Sequence, residues 1–431
     1  MQDKSSQSSQ SQRNKKKWKF PSTTVIGSYP VVVPQDLLEQ HLSALDETED
    51  PVTSTIHFCV RDFLSAGIEV PSTGQTRDSF IRMFLDPEYV EGIVRNGAEI
   101  VIKGNIKRKK SIRKEDVKTA KSLVPSYYSF KEPVTDPYTL ARNCRLEGSS
   151  YSDLRELTFA IAREIVRPEL EDLQLLVDYL QLDAPYFSFE PFKEYMYDVY
   201  EEMCSSLKVP VVLHVCGDSF GVFRHLTRLK GIDIISLDFT YSDRLLEEVS
   251  LRNFDQTIGL GCVSTGSAEI EPVKKISNLI ERASARIGEG RIRFIHPACG
   301  ERNLPLDVAY QKNVNMCLAR NEVYMGTPAP ARSVSLTESD LDPSGYFLIQ
   351  VDNQAQQIVV SFFSYDHVPR LRLQSPSGEK LIASIVDSKI ISETDYGKRH
   401  LGYVGYELGK AETALKNGVP YRQDRPLKLR S

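Results

Sequence analysis

A (β/α)8 TIM barrel followed by a smaller α+β domain is the architecture this sequence predicts, on three observations. Between Thr23 and Tyr324, eight short apolar runs alternate with helical stretches. Polar and metal-competent residues fall at the C-terminal ends of those runs, which is where barrels of this type keep their chemistry. After residue 325 the composition shifts to Pro, Ser and Thr, and then to a two-strand pattern. Strands that alternate with helices imply a parallel sheet. A doubly wound open sheet is the structural alternative, but it does not gather strand ends from both halves into one ring.

The elements follow in order. Residues 1–20 form a polar tail of Ser, Gln and Lys, which cannot bury enough surface to offset ordering entropy and is expected to be disordered. The strand runs are 23–30, 66–74, 125–137, 178–185, 209–218, 232–239, 256–265 and 291–300. Between several of them lie amphipathic, helical stretches such as 153–176. The polar residues closing the runs are Ser28, Gln75, Asp136, Asp183, His214, Cys216, Asp238, Ser264 and Cys299. This places the barrel at 21–325, a linker at 326–340 and the second domain at 341–431. In that domain 345–352 and 356–365 read as a strand pair joined at Asn353-Gln354. The stretch 403–418 reads as a helix stopped by Gly418. His400, Glu407, Lys410, Glu412 and Asp424 are its polar set, and helical spacing of charges usually makes a solvated or docking face.

Composition narrows the class. With 41% hydrophobic and 26% charged residues the chain is an ordinary soluble one. A net charge of -4 offers no basic field for nucleic acid or anionic lipid. No apolar run reaches the ~18 residues that span a bilayer, and the N-terminus lacks the apolar core of a secretory signal. Seven scattered cysteines, an odd number, point to a reducing, cytoplasmic setting.

His214 and Cys216 are two apart on a strand, so both side chains leave the same side of the backbone. Cys299 arrives from another strand end, and Asp238 can add an oxygen. Such N, S and O donors suit zinc. Structural zinc is usually closed by four ligands in short C-x-x-C steps, so this arrangement points to a site with an open position. Gly217 and Gly300 leave both turns open for close approach. Cys262 also closes a strand and is a reserve ligand or a core residue. Cys59, Cys144, Cys204 and Cys317 read as small core hydrophobes.

The segments 23–30, 180–185, 213–218, 235–239, 258–265 and 296–317, taken in that order, resemble the catalytic barrel of cobalamin-independent methionine synthases. The likeness is greatest to the short archaeal-type members built of that barrel alone. It implies methyl transfer to the thiol of homocysteine, with Zn2+ held by His214, Cys216, Asp238 and Cys299. It also implies that Asp183 holds the substrate's amino group, as the catalytic and binding carboxylate. Ile26 and Ser28 would contact the amino acid, and Gln75 falls where the family carries Glu. Asp238 likewise stands where the long enzymes usually have Glu.

Other departures bear on the methyl donor. Ala184 and Ala298 replace acids of the family motifs, and the His expected after the seventh strand is absent from 261–267. The segment 134–143 lacks the folate-holding tryptophan, and the one tryptophan is Trp18. These imply a methyl carrier other than methylfolate, such as a methylated corrinoid protein. Residues 400–427 resemble a small uncharacterised domain that ends some pterin- or methyl-transfer-related proteins. Two rival readings stand beside this one. One is a zinc barrel of the uroporphyrinogen-decarboxylase type that methylates coenzyme M from methylcobalamin. The other is a non-catalytic zinc- or corrinoid-binding protein. A sulfonate acceptor would want a cationic anchor, whereas Asp183 wants an amine.

Overall fold

The computed structural model describes residues 20–30 and 51–325, apart from 78, 98, 126 and 127. Beyond them it describes strands between 333 and 392 and short pieces at 413–414 and 427–428. Eight segments close a parallel ring. They are β1 (Ser22–Thr23), β2 (residues 69–71, around Val70), β3 (Lys131–Thr135) and β4 (Tyr179–Asp183), then β5 (Val211–Val215), β6 (Ile234–Asp238), β7 (Thr257–Val263) and β8 (Ile292–Pro297). From β3 round to β8 each strand pairs parallel with the next, and β8 pairs with β1 through Ser22↔Phe294. The remaining gap is bridged by β2. Thr24 pairs with Val70, Val70 N donates to Thr23 O at 3.0 Å, and Lys131 N donates to Pro71 O at 3.0 Å. Seven of the eight segments fall inside the expected runs, and β1 begins one residue ahead of its run, at Ser22. β3 to β6 are buried at every residue, as strands covered on both faces must be.

The barrel interior changes character along its axis. Val70, Tyr179, Val212, Ile234 and Phe294 form an apolar floor, with the Tyr179 and Phe294 rings edge to face at 5.1 Å. Side chains two residues apart on a strand share a face. Four floor residues are therefore followed two positions later by an inward polar group: Gln181, His214, Ser236 and His296, all at most 2% exposed. Buried polar groups of this kind require partners. His214, Ser236 and His296 bond in a chain, and Gln181 bonds Lys131, Asp183 and Ile26 O.

Two departures from the expected elements have local causes. The stretch 154–173 is not one regular helix. It runs as Leu154–Ile161, a π turn Ala162–Val166, and Arg167–Leu173. Pro168 lacks an N–H and its ring clashes with the carbonyl four residues back, and the wider turn absorbs this. The N-terminus is capped as expected of Asp followed by Glu: Asp153 accepts from Glu156 N and Glu156 accepts from Ser152 N, both at 2.8 Å.

The second departure is a three-stranded sheet inserted between β2 and β3. Val90–Asn96 and Glu99–Arg108 form an antiparallel hairpin, joined in parallel by Cys144–Leu146. The Asn96-Gly97 turn was its sequence signal. Gly92 sits at a bulge with φ +78, and a Cβ there would lie 2.3 Å from Asn105 O.

Beyond the barrel, Tyr346–Asp352 pairs antiparallel with Gln357–Phe363 in the expected arrangement. Ser333–Thr337, inside the stretch expected as linker, is a strand paired with Leu381–Val386. Its Ser-Val-Ser-Leu-Thr alternation is a strand pattern that the Pro- and Ser-rich surroundings obscured. The tail 1–19, the turn Asn353-Gln354, most of the helix expected at 403–418, and His400, Glu407, Lys410, Glu412 and Asp424 lie outside the described residues. Among the described residues no helix is long and apolar enough to cross a membrane.

Candidate metal centre

His214 is the fourth residue of β5, Cys216 follows its end, and Cys299 follows the end of β8. The ligand atoms of these three residues lie within 4.8 Å of one another. His214 is 2% exposed and its ring is held well below the usual histidine range, chiefly by burial, so it is neutral. Its Nδ1 lies 3.0 Å from Ser236 Oγ, while its Nε2 is buried without a hydrogen-bond partner. A buried nitrogen with no partner is costly unless something else uses its lone pair. The two thiols share a hydrogen bond. That bond from Cys216, with help from the Gly300 N–H, pulls Cys299 down, while the Cys216 thiol is pushed up. A neutral imidazole and two sulfurs, one already biased toward thiolate, are the donor set a borderline-soft cation such as zinc takes. The residues present therefore fit the metal that the sequence implies.

Asp238 is not part of this group. Its Oδ1 accepts from Thr240 N at 2.8 Å and Thr240 Oγ1 at 2.7 Å, and the N–H groups of Gly217 and Tyr241 also reach the carboxylate. Its short side chain ends among loop donors, where it braces the turn after Cys216. Cys262 is buried against His296 O at 3.8 Å and also lies outside the group.

Beside the three ligands lies a carboxylate held from below. Asp183 pairs in register with His214 on the neighbouring strand. It accepts from Gln181 Nε2 at 2.6 Å and from Gln75 Nε2 at 3.5 Å. Burial pushes it up to about 6, against the opposing pull of Gln181, Lys131 and Gln75. Gln181 also donates to Ile26 O at 2.7 Å and accepts from the buried Lys131, whose ammonium donates to Val25 O at 2.5 Å. The amide of Gln181 is thereby locked with its NH2 toward Asp183.

The loops bearing Ser28, Gln75 and Cys299 are tied together. Glu301 N donates to Ser28 O at 2.7 Å, and Arg302 donates to Gln75 O at 2.6 Å. Glu301 accepts from Asn313 at 2.9 and 3.1 Å, so the helix Leu306–Met325 clamps the segment after Cys299. Gln75 holds a left-handed φ of +47. Such a conformation persists only where the surroundings enforce it. Here Gln75 N donates to Thr73 Oγ1 at 3.4 Å and Arg302 donates to Gln75 O at 2.6 Å, while the fully buried Arg113 fixes Thr73 by donating to its Oγ1 at 2.7 Å.

Sequence reasoning therefore located Ile26, Ser28, Gln75, Asp183, His214, Cys216 and Cys299 around one strand-end mouth. It missed Lys131, Gln181, Ser236 and His296. For Gln181, Ser236 and His296 a signal was present, since each is a polar residue on the inward face of a mostly apolar strand, whereas Lys131 lies on a strand with Glu132 and Thr135 and does not stand out.

Comparison with known proteins agrees with this geometry. Residues 20–322 match the family described as cobalamin-independent synthase, catalytic domain, and residues 341–424 match the one described as PterinBD-DUF4346. A methionine synthase of Methanocaldococcus jannaschii is 30% identical over 311 residues, covering 68% of this chain and 96% of that one. That of Methanothermobacter marburgensis is 30% identical over 318 residues, covering 70% and 99%. Among solved structures, the B12-independent methionine synthase from Shewanella sp. W3-18-1, in complex with selenomethionine, superposes with a TM-score of 0.58 at 21% identity. It covers 71% of this chain and 98% of its own, and it supports the fold. The family match takes in the whole barrel and every residue of the mouth, and the chain belongs to the cobalamin-independent synthase family through its catalytic domain.

Proposed function

We propose that this chain transfers a methyl group to the thiol of homocysteine, forming methionine. The observation that carries the reading is the placement of three metal-competent ligands beside a locked, buried carboxylate on adjacent strand ends. His214 Nε2, Cys216 Sγ and Cys299 Sγ would hold zinc, leaving an open position for the acceptor. Bound zinc lowers the pKa of a thiol, which is otherwise only a few per cent thiolate at neutral pH, while leaving its sulfur nucleophilic.

The chain's own residues do the rest. Asp183 anchors the acceptor's ammonium through a charge-assisted hydrogen bond, and its position beside His214 sets the distance from anchor to sulfur. Ile26 and Ser28 line the amino-acid end. Gln75 braces Asp183 without adding charge, so the anchor carries one negative charge rather than two. Asp238 supports the Cys216 turn. The acceptor sulfur then displaces the donor's leaving group in line at the methyl carbon. The proposed donor is a methylated corrinoid protein, on the absence of a tryptophan at 134–143 to hold a folate. We also divide the chain into a tail (1–20), the barrel (21–325), a connecting stretch (326–340) and a second unit (341–431).

The test needs no knowledge of the donor. The protein is loaded with Co(II) and titrated with homocysteine, then with 2-mercaptoethanesulfonate, following the sulfur-to-cobalt absorption band. A band that grows with homocysteine supports the proposal. A band that grows only with the sulfonate transfers the protein to the coenzyme M reading. No band with either thiol makes the metal site structural.

A further inference from the structure

Below the ligands a hydrogen-bond chain crosses the barrel. His214 Nδ1 on β5 meets Ser236 Oγ on β6 at 3.0 Å, and Ser236 Oγ meets His296 Nε2 on β8 at 2.8 Å. His296 Nδ1 ends the chain against Pro297 O at 2.7 Å. Ser236, His214 and His296 are all at most 2% exposed. The ring meets two backbone carbonyls, Pro297 O and Gly259 O. The one in full hydrogen-bond geometry, Pro297 O at 2.7 Å, can only accept, so His296 Nδ1 carries the proton. A neutral imidazole has one N–H, so His296 Nε2 is an acceptor. The Ser236 hydroxyl must then donate to it, and its oxygen is left to accept from His214 Nδ1–H. The lone pair of His214 is thereby forced onto Nε2, the buried atom without a hydrogen-bond partner.

The chain has to pass over β7, which lies between β6 and β8. It can do so because Gly259 on β7 has no side chain. A Cβ there would lie 2.8 Å from His296 Nε2 and 3.0 Å from Ser236 Cβ. The far anchor, Pro297, is two residues from Cys299, so the chain also links the strand bearing one ligand to the strand bearing another.

We propose that Ser236 and His296 are positioning residues. Through a chain that begins at the Pro297 carbonyl and crosses the gap at Gly259, they hold the His214 ring as the Nδ1–H tautomer and aim its Nε2 lone pair at the metal. This rests on the metal-centre reading of His214, Cys216 and Cys299. A metal-ligating histidine generally needs such a partner to fix its tautomer and ring orientation. A hydroxyl between two rings does this without adding charge to the site, as a carboxylate partner would.

The test uses the full chain labelled with 15N-histidine. The metal-free protein is examined by long-range 1H–15N correlation, and zinc affinity is measured by chelator competition. His214 and His296 should both appear as Nδ1–H tautomers. Ser236→Ala should let His214 sample both tautomers and should weaken zinc binding about 10- to 100-fold. Gly259→Ala, which alters no ligand, should act in the same direction by parting Ser236 from His296. A His214 held as Nε2–H in the metal-free protein overturns the proposal. So does a Ser236→Ala variant with unchanged tautomer and unchanged affinity. Failure of the wild type to bind zinc overturns the metal-centre reading, and the tautomer then judges the hydrogen-bond chain by itself.

Discussion

Asp183→Asn is the substitution that isolates the anchor. It is nearly isosteric, and the Gln181 donor at 2.6 Å can still be accepted by the remaining oxygen. What goes is the charge, together with an acceptor turned toward the mouth, since the new NH2 presents hydrogens to an incoming ammonium. A hydrogen bond to a charged group contributes about 1.5–3 kcal/mol. At about 1.4 kcal/mol per decade, KM for homocysteine should rise roughly 10- to 150-fold. Zinc content should stay at the wild-type level, because Asp183 is not among the clustered ligands. The assay compares homocysteine with 4-mercaptobutanoate, which has the same thiol and carboxylate but no amine. Only homocysteine should lose affinity. The wild type adds a pH arm: burial raises Asp183 to about 6, so homocysteine's KM should climb below that pH as the carboxyl protonates and its charge disappears. Equal losses for both thiols, or none for either, would refute the assignment of Asp183 as the amine anchor.

Other outcomes follow from the same geometry. His214→Ala and Cys299→Ser should each abolish zinc retention after dialysis and with it methyl transfer, read by metal analysis; full zinc occupancy in both would remove the ligand assignment. The share of thermal stability that comes from three buried carboxyls should decline as pH rises from about 4.5 to about 8, while His57, His214 and His296, held below the usual histidine range by burial, contribute in the opposite direction below about 6.5. Burial raises Glu132 and Asp136 to about 7 and Glu301 to about 8, so the folded chain keeps protons that the unfolded chain has already released. Glu132→Gln should flatten the part of that slope between 4.5 and 7, as read by melting temperature against pH.

The fold and the mouth were largely legible in the sequence, for physical reasons that can be named. A parallel strand covered on both faces must be a short apolar run, so all eight ring segments stood out. β2, bridged at the single position Val70, stood out because Gly67 and Gly74 bracket it. Strand ends carry whatever chemistry a barrel has, so His214, Cys216, Asp183 and Cys299 could be read from position alone. The hairpin of Val90–Asn96 and Glu99–Arg108 was harder to see, since its outward face is charged and only Asn96-Gly97 announced it. The π turn before Pro168 required weighing one missing N–H within an otherwise helical pattern.

Tertiary structure alone decided which polar groups meet. Asp238 closes a strand just as Asp183 does, yet the first is consumed by the Thr240, Gly217 and Tyr241 donors of its own loop, while the second stands beside His214. Gln181, Ser236 and His296 lie on three different strands, and no spacing along the chain relates them. Each sits one pleat above the apolar floor, where Gln181 meets Lys131 and Asp183, and Gly259 leaves the gap through which Ser236 reaches His296. The local pattern of apolar and polar residues thus determined the ring and the residues at its mouth. The hydrogen-bond partners, and with them the direction of each lone pair, were determined only when the ring closed.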